Sequence, residues 1–313
     1  MGLLGRLGRR RGAREVWAEW QEADRVGDCE AAGRLAREMV KVAGGQFGAW
    51  FEAGLYSKAR AEWAESAQRN QRAVELFTAE DGRTYDGVNP AAWNLGIAAT
   101  ALGDWATARR AWSAYGVEGI SEGSEPIDGD YGLTPIRLNP DRPSLVHQVP
   151  MAIGDTEVVW CWRRSPAHAV ISSVPLPDSG HRFRDVVLHD GEPKGRRRRG
   201  DHEVAVFDEL ALLDESGLQT WQAQVLGAGP DDLTALVDLA GPKDLGVDDW
   251  SGIRLMCSDC SHGMPDDAHD HEPASNDAVR LGLAGSEADL RACLDSWLAD
   301  RPHVTLAELT FLW

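Results

Sequence analysis

A chain of 313 residues, 43 % of them hydrophobic, has room for two or three cores, so its size excludes a mini-protein. No stretch approaches the roughly 20 consecutive apolar residues of a membrane span, so a soluble protein is expected. The net charge of −18 is uneven: residues 1–115 carry sixteen Lys/Arg against fifteen Asp/Glu, and residues 116–313 sixteen against thirty-five, a surplus that repels phosphate backbones and anionic lipid.

In chain order, residues 1–14 contain Gly and Arg without a continuous apolar run and read as a flexible basic leader, not a secretory signal. The expected compartment is the cytoplasm, which also fits five scattered cysteines, an odd number and no disulfide framework. Cys29, Cys161 and Cys293 read as small core residues.

Residues 15–115 repeat. Trp50-Phe51-Glu52-Ala53-Gly54 is followed by Ala61-Glu62-Trp63 and Ala73-Val74-Glu75-Leu76. Ala92-Trp93-Asn94-Leu95-Gly96 is followed by Gly103-Asp104-Trp105, Ala108 and Trp112. Each reads as helix, tight turn, helix. An earlier copy, Val16 to Ala43, turns at Gly27-Asp28-Cys29, and Asp28 precedes Glu62 by the ~34 residues of one tetratricopeptide unit. Gly54, Gly96, Ala73 and Ala108 would let paired helices approach, while Trp63, Trp105 and Trp112 fill gaps.

On these residues the N-terminal third resembles the tetratricopeptide repeat family. Trp50 and Gly54, Leu95-Gly96, and Ala108 with Trp112 match its pattern W-x-x-L-G-x-x-Y, then A-x-x-x-F. Ser57 and Ala99 replace its Tyr, and eight extra residues around Asp81-Gly82-Arg83-Thr84-Tyr85 lengthen the second interval. The resemblance implies a right-handed stack with a concave peptide-binding face, lined here by Phe51, Leu55, Lys58, Trp93, Ile97 and Thr100. The helical spacing of each triplet independently places it on one face, distinct from Gly54 and Gly96.

Residues 116–133, rich in Gly, Pro, Ser and acid, read as a linker. Residues 134–216 then form a β-rich domain, a barrel or a sandwich, with strands at Thr134–Leu138, Glu157–Arg163, Ala167–Val174, Arg184–Leu188 and Glu203–Leu212. In residues 217–313 a strand at Leu218–Leu226, with Trp221 partly buried on a face shared with Ala223 and Val225, precedes a helix opened by Pro230. Strands at Ile253 and Leu255 and at Val279–Leu283, a helix capped by Ser286, and a last strand with Ala307, Leu309, Phe311 and Trp313 on one face complete a ferredoxin-like order. The fold class is α+β multidomain.

Three clusters bear on chemistry. In the loop 257–272, Cys257 and Cys260 at C-x-x-C spacing, with His262 and either His269 or His271, are the residue types of a closed, structural zinc shell; the alternative is a polar hairpin loop with free thiols. His181, Asp185 and His189 offer acid-base groups, against the reading that His189-Asp190-Gly191 is a β-turn. Arg196 to Arg199 could meet RNA, but without interleaved aromatics they read as a solvated loop. The sequence has no Walker loop, G-x-G-x-x-G or H-E-x-x-H. The expectation is a non-catalytic adaptor for a protein or peptide. Its rivals are an enzyme at His181, Asp185 and His189 or at a Cys257/Cys260 metal, and an RNA-associated protein using Arg196 to Arg199.

Overall fold

The computed structural model describes residues 11–140, 157–199, 202–252 and 278–313. These fall into two compact units, one ending at Pro126 and one beginning at Ile127.

The first unit is seven packed helices: α1 Ala13–Arg25, α2 Cys29–Val42, α3 Phe47–Ala59, α4 Trp63–Leu76, α5 Ala79–Thr84, α6 Pro90–Ala101 and α7 Trp105–Tyr115. Three hairpins, α1/α2, α3/α4 and α6/α7, share one turn. Gly27, Ala61 and Gly103 all have positive φ (74°, 55° and 68°). The next amide closes back five residues in each copy: Asp28 N–H to Ala23 O, Glu62 N–H to Ser57 O and Asp104 N–H to Ala99 O, all at 2.9 Å. The region is therefore a helical repeat, and its first copy keeps the turn where it keeps little else.

Close approach follows from the small residues. A Cβ added to Gly54 would lie 2.7 Å from the Asn70 amide, and one on Gly96 would lie 2.6 Å from the Trp112 ring. Ala73, Ala108 and Trp112 are fully buried, whereas Trp63 and Trp105 are only half-buried. Central α6 is apolar on every side and buried from Ala91 to Thr100 except at Trp93.

In the second unit, β1 Leu133–Leu138, β2 Glu157–Arg163, β3 His168–Ile171, β4 Val186–His189 and β6 His202–Asp214 run antiparallel in that order. Parallel pairing of Ile136 with Phe207 and Arg137 with Asp208 closes them into a five-stranded barrel with no free edge. Ile136, Leu138, Val159, Cys161, Ala169, Ile171 and Val187 pack together as its core. The arginine run is not a loop: β5, Gly195–Arg199, pairs with the first half of β6, Arg196 opposite Ala205 and Arg197 opposite Val204. Without apolar alternation it carries no strand signature of its own, and its partner imposes the extended form.

The chain continues through β7 Thr220–Leu226, α8 Pro230–Ala240, β8 Gly246–Asp249, β9 Ala278–Ala284, α9 Glu287–Ala299 and β10 Thr305–Phe311. The sheet order is β10-β7-β9-β8, antiparallel throughout. One core joins Trp221, Ala223 and Val225 of β7 with Leu236 of α8 and Leu290, Leu294 and Trp297 of α9. A strand not expected from the sequence, β8 Gly246–Asp249, pairs with β9, while the strand expected at Ile253 and Leu255 lies outside the described residues. One expectation is corrected. A bulge between Leu306 and Glu308 resets the pleat of β10, so Leu306 and Leu309 meet the core and Ala307 is exposed. Phe311, 51 % exposed, keeps an edge contact to Trp221 at 5.1 Å.

A second cluster joins the barrel connections to this sheet. Val174 and Phe183 pack with Trp250 and Ala284, and the Trp250 indole N–H donates to Val174 O at 3.0 Å. Gly282 makes room for that ring, because a Cβ there would lie 2.1 Å from it.

Candidate functional site

The six residues expected on a concave face divide into two groups. Phe51, 8 % exposed, stacks on Phe47 at 5.3 Å and meets Tyr85 edge-on at 5.9 Å; Phe77 closes on Phe47 at 5.0 Å. Tyr85 comes from the extra residues that lengthen the second interval. Thr78 and Asp81 form a reciprocal capping box that starts α5, and the short helix returns Tyr85 over α3. Ile97 is fully buried, and Thr100 is buried with its hydroxyl donating to Gly96 O at 2.7 Å. Phe51, Ile97 and Thr100 thus present no free surface.

Leu55, Lys58 and Trp93 remain half-buried. Lys58 Nζ donates to Asn94 Oδ1 at 2.9 Å, tying α3 to α6, and the Trp93 ring sits 5.0 Å from Trp112 and 4.8 Å from Tyr115. What remains accessible on this face centres on Leu55, Lys58 and Trp93.

The three acid-base candidates occupy three separate environments. The His181 ring is buried; Nδ1 lies 2.9 Å from Ser179 O and Nε2 2.8 Å from Glu209 Oε1. Both partners are acceptors, so the ring satisfies both only as the imidazolium. Burial lowers its pKa, but the hydrogen bond and charge of Glu209 more than offset that and hold it above the ordinary value. Glu209, the partner that no spacing in the sequence announces, also accepts the Asn139 N–H at 3.0 Å.

His189 is the opposite case. It is fully buried, and its Nδ1 meets Asp190 O at 3.1 Å while Nε2 has no hydrogen-bond partner among the described residues. Burial, then the Arg163 charge, push its pKa down to about 3, so the ring is neutral. The Asp185 carboxylate accepts backbone N–H groups from Arg182 at 2.7 Å and Ser216 at 2.8 Å, fastening the loop before β4 to the chain after β6.

Two further carboxyls grip the segment after β3. Glu157 accepts the Leu176 N–H at 2.9 Å and Asp248 accepts the Val174 N–H. Burial raises Glu157 to about 7 and Asp248 to about 6. Arg137 is buried in an ion pair with Asp208, and Arg196 lies 3.2 Å from Glu203.

Cys257, Cys260, His262, His269 and His271 lie outside the described residues. Among the described residues no three His, Cys, Asp or Glu side chains group as a metal site, and no helix there is long and apolar enough to cross a membrane. No protein-family model matches the chain, and none of the curated proteins matches it.

Proposed function

We propose that the chain is a cytoplasmic adaptor whose tetratricopeptide-type hairpins bind a segment of a protein partner. The observation that carries the reading is repetition in atomic detail: three turns closed by the same 2.9 Å bond, and small-residue contacts at Gly54 and Gly96. Such stacks leave open surface between hairpins, and a rigid surface loses little freedom on binding. The ferredoxin-like reading of the last domain is supported by its order, strand-helix-strand-strand-helix-strand, with the last strand beside the first.

The rival enzyme reading needs a nitrogen or carboxylate able to reach a substrate proton. Both nitrogens of His181 are engaged within the protein, His189 is sealed, and Asp185 is spent on backbone amides, which favours the adaptor.

Quantitative capture of a partner by the whole chain tests the proposal, with a Leu55→Glu, Lys58→Glu double variant as the control. One protein enriched by the wild type is the expected result. No enriched partner, together with a turnover lost in a folded His181→Gln variant, would replace the adaptor with the enzyme. Structural zinc at Cys257 and Cys260 is a separate proposal. Elemental analysis should then find zinc in wild-type protein purified without chelator and none in Cys257→Ser.

A further inference from the structure

On α2, Arg34, Arg37 and Lys41 fall at i, i+3 and i+7, a spacing that puts all three within a narrow stripe. All three are exposed and have no ion-pair partner among the described residues. Glu38, the carboxylate within one turn of both Arg34 and Lys41, is engaged instead by Arg11, which also holds Glu19.

The stripe lines an open furrow of about 1030 Å³ between α2 and α4, whose lining is completed by Arg11 and Arg69, each already held in an ion pair, and by Glu38 as its acid. The adjoining furrow, about 410 Å³, is different. Its Arg37, Arg60 and Arg69 are balanced by Glu30, Glu62 and Glu65, with Arg60 paired to Glu62 at 2.7 Å and Arg69 paired to Glu65. Positive charge is therefore concentrated in the larger furrow, within a chain of net charge −18.

We propose that this furrow is a docking site for an acidic peptide segment of the protein partner, an inference that rests on the adaptor reading and names its ligand chemistry. From Arg34 to Lys41 the helix rises about 10 Å, the length of roughly three residues of extended chain. Two or three carboxylates on such a segment can each meet a guanidinium or ammonium group, and Arg34 and Arg37 suit bidentate pairing. Val40 and Val42, the latter 37 % exposed, add an apolar margin for a neighbouring side chain. Among the described residues no aromatic ring lines the furrow, so unpaired bases would find nothing there to stack on, which separates an acidic peptide from RNA. The face is formed by the second helices of the first two hairpins, apart from Leu55, Lys58 and Trp93 on the first helices.

The test is fluorescence anisotropy of a labelled Asp/Glu peptide of about eight residues against the full-length protein. Saturable binding is expected, weakened severalfold between about 50 mM and about 200 mM salt and about tenfold by R34Q/R37Q/K41Q. These exposed side chains hold no hydrogen bond or ion pair among the described residues, so far-UV circular dichroism should not change. Equal binding by the triple variant, or no saturable binding by the wild type, overturns the proposal. So does a single-stranded RNA of equal charge that binds more tightly and displaces the peptide. If the triple variant still captures the partner taken by the wild type, the furrow falls and the adaptor stands. If neither captures a partner while the peptide binds at the furrow, the adaptor reading is what falls.

Discussion

In the helical unit the Trp112 indole closes over Gly96 from the facing helix of one hairpin; in the β-rich unit Trp250 closes over Gly282 from the short turn Trp250–Gly252 that follows β8, with the chain 253–277 between them. The device is the same, a large ring packed where a Cβ would stand 2.6 Å or 2.1 Å away. The surroundings differ. Around Trp112 the contacts are local: Gly96 and, ring to ring at 5.0 Å, Trp93, both on α6 of the same hairpin. Around Trp250 the contacts reach Val174, Phe183 and Ala284, and Val174, whose carbonyl accepts the indole N–H, gives its own N–H to the Asp248 carboxyl. Packing in the helical unit is built from neighbours in sequence, whereas the β-rich unit joins distant segments through buried polar groups.

The strongest way to break this comparison is to delete each ring. Trp112→Ala and Trp250→Ala should each cost about 3–5 kcal/mol in denaturant unfolding, the range for a large buried aromatic. If Trp250→Ala proves nearly neutral, the barrel connections do not depend on that ring and the parallel fails. The matching glycine changes should cost less. Gly96→Ala and Gly282→Ala force a methyl into a ring that must shift, about 1–3 kcal/mol each. The shorter approach at Gly282 predicts the larger loss there, read as a lower midpoint at unchanged slope.

The same contrast explains what the sequence reveals. Hairpin turns, Gly54 under Asn70 and Gly96 under Trp112 are legible because each lies within one repeat, where spacing alone fixes who meets whom. The positions of β2, β7, β9 and α9 follow from alternation and from the Ser286 cap, all local signals. β5 is illegible because four arginines have no apolar face, and β8, Gly-Val-Asp-Asp, because its strand form comes from pairing with β9. Strict alternation puts Ala307 on one face with Leu309, Phe311 and Trp313, and the bulge in β10 breaks that alternation. At the candidate sites the missing knowledge is also non-local: Tyr85 covering Phe51, and Glu209 holding His181, belong to no motif. The stripe Arg34, Arg37 and Lys41 was in plain view at helical spacing; what the sequence concealed was that Arg11 occupies Glu38.

A smaller effect isolates the buried carboxyls of the β-rich unit. Glu157 titrates near 7 in the folded chain against 4.5 as its ordinary value, raised chiefly by burial. The folded state therefore holds its proton more tightly than the unfolded state. The stabilisation is fully present below about 4.5 and is lost as pH rises through about 7. Glu157→Gln keeps an oxygen for the Leu176 N–H and removes the titration. The variant should gain about 1–2 kcal/mol on wild type between these pH values, a figure reduced for the partial exposure of the group. Parallel stability curves for the two proteins would show that water already solvates the carboxylate. Asp248, raised to about 6, makes the same test available from the other side of the segment it shares with Glu157.

The smallest expected effect asks where the difference between the units ends. A helix cap is local in either setting: the Asp104 carboxylate accepts the Thr107 N–H at 3.0 Å at the start of α7, and the Ser286 hydroxyl accepts the Asp289 N–H at 3.2 Å at the start of α9. Each satisfies one of the free amides at a helix N-terminus, and neither depends on a distant segment. Asp104→Ala and Ser286→Ala should therefore cost the same, about 1 kcal/mol each, however differently the two units respond to loss of their tryptophans. Their pH behaviour separates them. The Thr107 hydrogen bonds hold the Asp104 pKa below 3.8, so its contribution is present above 3.8 and fades as pH falls through the lower folded value. Ser286 carries no charge and its own cap has no such dependence. Unfolding midpoints for both variants at neutral pH and in acid give the answer. Equal losses at neutral pH, with only the Asp104→Ala deficit shrinking in acid, confine the contrast between the units to their long-range contacts. A Ser286 loss several times larger would mean that α9 owes its start to the sheet it covers, and local structure in the β-rich unit would then also depend on distant residues.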